Sequence, residues 1–292
     1  MSIKQVLLKI GAIHEENVDL FSSGTRDNQN LKVLKDRKTG VIFIDDFLPN
    51  EKIYQTGNYR LEAKPLIGVS VVDHDDFVDS ARRFNSYQQF ILNKKIVDFG
   101  CGGGGFLSRA LGVASSVAGV ELQQNFIQDL NSRGIRCFSS LDDIGDDQDT
   151  FFMFHCLEHL PNPIEVLSDI RSKLMKNGAG KIIVEVPHAQ DFLISSLGIE
   201  EFIEFTLWSQ HLILHTRKSL ELLLSECGFK NIVIEGVQRY GVSNHLKWLK
   251  SREPGGHGEV LSVFETQELK ASYALALSKI DANDTLVAIA EA

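Results

Sequence analysis

The sequence predicts an α/β fold: a Rossmann-like, doubly wound sheet that is mostly parallel and follows a small N-terminal appendage. Short apolar segments alternate with segments of helical periodicity from residue 95 to the end of the chain, which is typical of a parallel sheet covered by helices on both faces. A run of glycines follows the first of these strands, as expected where a ligand approaches the carboxyl edge of such a sheet. The 292 residues are 43% hydrophobic, enough for a large buried core.

The remaining elements follow in chain order. Residues 1–74 show no dominant period apart from a short strand at 40–44, so we assign them to an appendage or cap, and an amphipathic helix is expected over 75–92. Residues 75–292 then form one domain. Its predicted strands are 95–99, 116–120, 135–138, 150–155, 181–186, 231–235 and 285–290. Its predicted helices are one ending near 111 and those at 123–131, 164–175, 218–227 and 265–278.

The charge and cysteine content exclude several classes of protein. Thirty Lys and Arg against 39 Asp and Glu give a net charge of -9, which repels phosphate backbones and argues against a nucleic-acid partner. The four cysteines form no C-x-x-C pair, which indicates reduced thiols and a cytoplasmic location. The chain lacks an apolar run of about 18 residues, so we expect no membrane span, and its start does not resemble a signal peptide.

The segment 97–106, VDFGCGGGGF, is the strongest local signal. It satisfies both G-x-G-x-x-G, the weak fingerprint of a nicotinamide dinucleotide site, and D-x-G-x-G-x-G. Asp98 would oppose a pyrophosphate but attract an ammonium and a sulfonium group. Glu121, at the end of the next strand, is placed to accept hydrogen bonds from a ribose diol, which both kinds of cofactor contain. The glycine run therefore leaves two cofactor classes open.

Four motifs taken together resemble the class I S-adenosylmethionine-dependent methyltransferases of the small-molecule branch: VDFGCGGGGF, VAGVE, FHCLEHLPNP and KIIVEVPH, in this order over residues 95–290. The resemblance implies S-adenosylmethionine as cofactor, S-adenosylhomocysteine as product, and a last strand inserted antiparallel. The cofactor-binding residues that it implies are Asp98, Gly100, Cys101, Gly102, Gly104, Glu121, Leu122, Gln123, Ser140, Leu141 and His155. Asp142 is a further candidate for the acid at the adenine edge.

Two later segments, at about 189–215 and 238–260, are predicted insertions on the acceptor side that determine specificity. The stretch W-x-x-H-L-x-x-x-T-x-x-S-L at 208–220 resembles sugar and small-metabolite methyltransferases, and 238–246 is similar to bacterial enzymes of surface-glycan pathways. The candidate catalytic residues are His159 and His155, as general bases on an acceptor hydroxyl, together with His211 and His245. Capping or packing roles for each of these histidines stay open at this point.

The functional expectation is methyl transfer from S-adenosylmethionine to a polar small molecule, with a hydroxyl of a sugar, nucleotide-sugar or glycan precursor favoured. We expect no metal, because the sequence has no H-x-x-x-H helix with a third acidic ligand. A homodimer is left open. Two alternatives also remain: an NAD(P)-dependent oxidoreductase, and a non-catalytic subunit that binds the cofactor.

Overall fold

The computed structural model describes residues 1–45, 47, 70–176, 178–258 and 260–292, with the side chains of 70–76 left aside. The part of the predicted appendage at 48–69 lies outside the described residues. Within the described part of the chain, no helix is both long and apolar enough to cross a membrane.

The N-terminal segment forms a small antiparallel sheet. Helix α1 (Ile3–Lys9) begins with a capping box in which Ser2 and Gln5 satisfy each other's backbone N–H groups. Strands β1 (Val18–Ser22), β2 (Val33–Asp36) and β3 (Ile42–Ile44) follow and pair in that order. The fourth strand of this sheet comes from far along the chain, at residues 213–214. The N-terminal segment is therefore joined by backbone hydrogen bonds to one of the predicted insertions.

The main sheet has seven strands among the described residues. They are β4 (Lys95–Phe99), β5 (Ser116–Val120), β6 (Arg136–Phe138), β7 (Thr150–Phe154), β8 (Lys181–Pro187), β10 (Lys230–Val237) and β11 (Thr285–Glu291); β9 (Ile213–Leu214) belongs to the small sheet. Their order is β10-β11-β8-β7-β4-β5-β6. Strand β11 is antiparallel to both of its neighbours, and the other pairs are parallel. The predicted fold class is confirmed, including the antiparallel last strand.

Helices cover the sheet and account for the predicted periodicity. They are α2 (Ser70–Ser86), α3 (Gly105–Ala110), α4 (Gln124–Ser132), α5 (Pro163–Lys173), α6 (Phe192–Ser195), α7 (Glu200–Thr206), α8 (Arg217–Glu226), α9 (Val242–Ser251) and α10 (Gln267–Lys279). Helix α2 ends six residues earlier than predicted, because the chain tightens into a 3-10 turn at Gln88–Phe90. Helices α6, α7 and α9 lie within the two predicted insertions, for which the sequence analysis assigned no elements.

The core explains why the central strands are apolar on both faces. Phe151, Phe152 and Met153 of β7 are fully buried, with helices packed on either side of the sheet. Leu7 and Phe43 belong to the same buried cluster as the strands of the main sheet. Residues 1–45 therefore share the core of the main sheet in part, and they form a second buried cluster with the segment at 189–214: Leu31, Val33, Ile42 and Ile44 belong to it.

Candidate active site

The turn from β4 into α3 requires glycine at two positions. Gly100 and Gly104 have φ angles of +79° and +69°, which side chains with a Cβ rarely adopt. A Cβ at Gly100 would lie 2.6 Å from the Cys156 sulfur, and a Cβ at Gly104 would overlap the Leu130 side chain. The glycines therefore bring the loop close against the segment that follows β7 and against α4.

Glu121 is held firmly at the carboxyl end of β5. Its Oε1 accepts hydrogen bonds from the backbone N–H groups of Leu122 and Gln123 at 2.8 and 3.0 Å, and its Oε2 accepts one from Gly102 at 2.8 Å. The side chain is 8% exposed. Asp98, on β4, is buried beside the same turn. These contacts fix one carboxylate at the carboxyl edge, where ligands bind in doubly wound sheets.

A cavity of about 430 Å³ lies beyond the carboxyl ends of the parallel strands. Eight of the residues singled out from the sequence line it: Gly100, Glu121, Leu122, Gln123, Ser140, Leu141, His155 and His159. The lining that the sequence analysis did not single out includes Phe99, Ser139, Asn162, Glu165 and Asp169. One cavity therefore joins the predicted cofactor residues to two of the predicted catalytic histidines.

Four of the predicted cofactor residues are not part of the cavity lining: Asp98 on β4, and Cys101, Gly102 and Gly104 in the turn. The Cys101 side chain points into the fold, with its sulfur 3.8 Å from that of Cys137. Asp142 is exposed and contacts Ser140 instead of the cavity.

His155 lies between two fully buried carboxylates. Its Nδ1 is 3.3 Å from Glu158 Oε1, and its Nε2 is 3.3 Å from Glu185 Oε1. The backbone of His155 has a φ of +49°, a strained conformation of the kind that is common at functional sites. Glu185 also accepts hydrogen bonds from Arg82 at 2.8 Å and from Arg83 at 2.6 Å.

The electrostatic surroundings keep both carboxylates ionised. Burial raises the pKa of Glu185, but Arg83, His155 and Arg82 together hold it well below its usual value. Burial likewise raises the pKa of Glu158, yet the contact with His155 and the proximity of His159 lower it to about 2. Two ionised carboxylates therefore lie next to His155, which itself lines the cavity.

His159 and His211 meet although they come from distant parts of the chain. Their ring centroids are 5.0 Å apart, and the Trp208 ring lies edge-on to both. Burial, and next the charge of His159, lower the pKa of His211 to about 3, so its imidazole is neutral at neutral pH. The structure thus gathers three of the four predicted catalytic histidines around Glu158.

Backbone hydrogen bonds fix the segment that carries His211. The Nδ1–H of His159 donates to the Gln210 carbonyl at 2.7 Å, since a carbonyl oxygen can only accept. The N–H of Leu212 donates to the Glu158 carbonyl at 2.7 Å. The segment at 158–159 is therefore hydrogen-bonded to the residues on both sides of His211.

The N-terminal segment supports this arrangement from outside. Asp27 accepts hydrogen bonds from the Ser209 N–H at 2.9 Å and from the Ser209 hydroxyl at 2.5 Å. The Arg26 guanidinium lies over the Trp208 ring, 4.7 Å from its centroid. Residues 25–27 therefore brace the segment that precedes His211.

His245 belongs to a different cluster. Its ring stacks on Phe192, and its Nδ1 is 2.7 Å from the Tyr273 hydroxyl. Burial lowers the pKa of His245 to about 4. The cavity lining does not include it, so the structure does not bring His245 together with the other three candidates.

The sequence analysis did not identify Glu158 as a buried carboxylate beside the candidate histidines. Its position in the sequence could have indicated this, because Glu158 directly precedes His159 and follows His155 by three residues. The role of Glu185, which was treated only as part of a strand, depends on Arg82 and Arg83 from α2. No sequence signal connects those two segments.

Comparison with known proteins agrees with this fold. The model of a methyltransferase domain matches residues 72–234, more than half of the chain. The chain belongs to this methyltransferase-domain family, which confirms the predicted class of enzyme, an S-adenosylmethionine-dependent methyltransferase, and its cofactor. No curated protein was matched in sequence.

Several solved structures are similar to this chain at low sequence identity. A SAM-dependent methyltransferase from Archaeoglobus fulgidus is 19% identical, with 74% of this chain and 94% of that chain covered and a TM-score of 0.51. The magnesium protoporphyrin IX methyltransferase of Synechocystis PCC 6803, solved with bound SAH, is 11% identical over 82% of this chain and 97% of that one, with a TM-score of 0.49. A putative methyltransferase in complex with the Haloferax volcanii Trm112 activator is 14% identical over 76% and 95%, with a TM-score of 0.49.

Proposed function

We propose that this chain transfers the methyl group of S-adenosylmethionine to a hydroxyl oxygen of a polar small molecule, with a sugar or glycan precursor as the favoured acceptor. The observation that carries the proposal is the shared cavity, whose lining includes the fixed carboxylate of Glu121 together with His155 and His159. Such a site holds cofactor and acceptor against each other, and positioning supplies much of the rate of a transfer reaction.

The cofactor half of the site is assigned to the residues around Glu121. Its carboxylate oxygens suit a ribose diol, and Ser140 and Leu141, which line the opposite wall, suit the adenine edge. Asp98 and the turn at 100–104 are assigned to the methionine part, where a buried carboxylate favours the ammonium and sulfonium charges. S-adenosylmethionine supplies an electrophilic methyl group at this position.

The acceptor half is assigned to the cluster of His155, Glu158, His159 and His211. A hydroxyl must lose its proton as it is methylated, and a positioned imidazole assists that loss. The cavity lining also includes Asn162, Glu165 and Asp169, whose polar side chains suit the hydroxyl groups of a polyol. We assign the N-terminal segment 1–74 and the insertions at 189–215 and 238–260 to the support of the acceptor end, outside the cavity lining.

The test begins with cofactor binding by the full chain. Isothermal titration with S-adenosylmethionine, S-adenosylhomocysteine and NADH should show binding of the two adenosyl sulfur ligands only. Glu121→Ala should abolish that binding, whereas Asp143→Asn, which removes an exposed carboxylate, should leave it unchanged. Binding of NADH alone would overturn the assignment in favour of an oxidoreductase.

The acceptor is then identified with S-adenosylmethionine that carries a labelled methyl group. Sugars and nucleotide-sugars should take up the label at oxygen, and His159→Asn should lose turnover while it keeps S-adenosylhomocysteine binding. Label found only on amine acceptors would refute oxygen transfer. Retained cofactor binding without transfer to any acceptor class would support the non-catalytic alternative.

A further inference from the structure

Three donor groups converge beside the cavity, whose lining includes one of them, His159. One carboxylate oxygen of Glu158 and one ring nitrogen each of His159 and His211 all lie within 4.8 Å of one another. Oxygen and imidazole donors hold a divalent cation at about 2.0–2.2 Å and therefore sit roughly 3–4 Å apart around it. Small side-chain adjustments would bring the three groups to that separation.

The Glu158 carboxylate lacks the compensation that its neighbour Glu185 receives. Both side chains are fully buried, but Glu185 is paired with two arginines at 2.6 and 2.8 Å. Among the described residues, Glu158 has only the 3.3 Å contact with His155, and its Oε2 makes no hydrogen bond. A buried carboxylate costs several kcal/mol unless it is paired or bound to a metal.

The two histidines are oriented to offer a ring nitrogen each. The Nδ1–H of His159 donates to the Gln210 carbonyl at 2.7 Å, which makes Nε2 the nitrogen that would bind a cation. A backbone carbonyl that orients a ligating imidazole in this way is the usual second contact of a metal-bound histidine. His211 Nδ1 is buried and makes no hydrogen bond within the described part of the chain.

We propose that Glu158, His159 and His211 form a binding site for one divalent transition-metal cation at the acceptor end of the cavity. Two imidazoles and one carboxylate favour Mn²⁺, Fe²⁺ or Zn²⁺ over Mg²⁺ and Ca²⁺, which prefer oxygen ligands only. This proposal replaces the sequence-based expectation of no metal. The chain order hid the site, because His211 reaches the other two ligands only through the fold.

Three protein ligands leave coordination positions for a substrate. An acceptor hydroxyl bound there would release its proton to water at a lower pH, since a bound cation lowers the pKa of an oxygen ligand. This step rests on the proposed function, whereas the binding of the cation does not. The cation would then take over the task that the proposed function assigns to His159 as a base.

The full chain is first stripped of metal with a chelator. It is then titrated with MnCl₂, and electron paramagnetic resonance measures the free and bound Mn²⁺. One Mn²⁺ should bind per chain, more tightly than Mg²⁺ measured by competition. Glu158→Gln and His211→Asn should each weaken Mn²⁺ binding by at least about tenfold. His14→Asn, which removes an exposed histidine, is the matched control and should bind as the parent does.

Circular dichroism and S-adenosylhomocysteine binding show whether each variant is folded, and His211→Asn serves if Glu158→Gln does not fold. Absence of saturable Mn²⁺ binding, or binding equal in parent and folded variants, would overturn the site. If S-adenosylhomocysteine binds and Mn²⁺ does not, the metal site fails while the proposed function stands. If Mn²⁺ binds and S-adenosylhomocysteine does not, the metal site stands while the proposed function fails.

Discussion

Replacing Gly104 by alanine tests whether the glycine turn is shaped by backbone conformation and packing. Gly104 has a φ of +69°, and holding a residue with a Cβ in this region costs about 1 kcal/mol or more. The new Cβ would also overlap the Leu130 side chain, one methyl of which is 3.3 Å away. Overpacking of a filled core costs about 1–3 kcal/mol. The two costs together predict a loss of about 2–4 kcal/mol.

Gly103→Ala is the matched control, one residue away. Gly103 has no positive φ, and its Cβ would meet only Phe126 at an ordinary 3.8 Å. Equilibrium unfolding in urea measures both variants against the parent, and we expect Gly103→Ala to change the free energy of unfolding by less than about 0.5 kcal/mol. Equal losses in the two variants would refute the argument from φ and from Leu130.

Two further predictions concern carboxylates outside the cavity, the buried Asp191 and the exposed Asp27. Burial, and next the charge of Asp284, raise the pKa of Asp191 to about 7; the native state therefore holds this proton more tightly than the unfolded chain, and stability falls as the pH rises from about 4 to 7. Asp191→Asn keeps a side-chain oxygen that accepts the hydrogen bond from the Leu193 N–H, but it cannot ionise. Its free energy of unfolding in urea, minus that of the parent, should therefore increase by about 2–3 kcal/mol from pH 5 to pH 8. A difference that does not change with pH would contradict the raised pKa of Asp191. Asp27→Ala removes both hydrogen bonds to Ser209 and should lower the free energy of unfolding by about 1–3 kcal/mol. Hydrogen exchange of the Ser209 amide should become faster. Unchanged exchange would show that Asp27 does not hold the segment that contains Ser209.

The main sheet could be predicted because its signals are local. Each parallel strand is buried on both faces and therefore appears as a short apolar run, as 150–154 does in TFFMF. The turn at 100–104 and Glu121 could be placed for the same reason, since both follow such strands directly. In a doubly wound sheet, the end of each parallel strand already specifies the edge at which its loop lies.

The acceptor end could not be predicted, because it depends on contacts between distant segments. Strand β9 has only two residues and pairs with β3 through Ile42 and Phe43, too short a segment for any periodicity to reveal. His245 and His211 look equivalent in the sequence as histidines of two insertions. Only the packing of α9 against Phe192 and Tyr273 places His245 elsewhere.

The two halves of the cavity are therefore supported by different parts of the chain. The cofactor half rests on loops that leave adjacent strands, and its geometry follows from the sheet itself. The acceptor half depends on the segment at 208–212. This segment is held by the hydrogen bond from the Leu212 N–H to the Glu158 carbonyl, by the one from the His159 ring to the Gln210 carbonyl, and by Asp27 from the N-terminal segment. Substitutions in residues 1–45 should thus alter the choice of acceptor without altering the cofactor, because they act on one half only. We therefore assign the N-terminal segment a supporting role at the acceptor end, although none of its described residues lines the cavity.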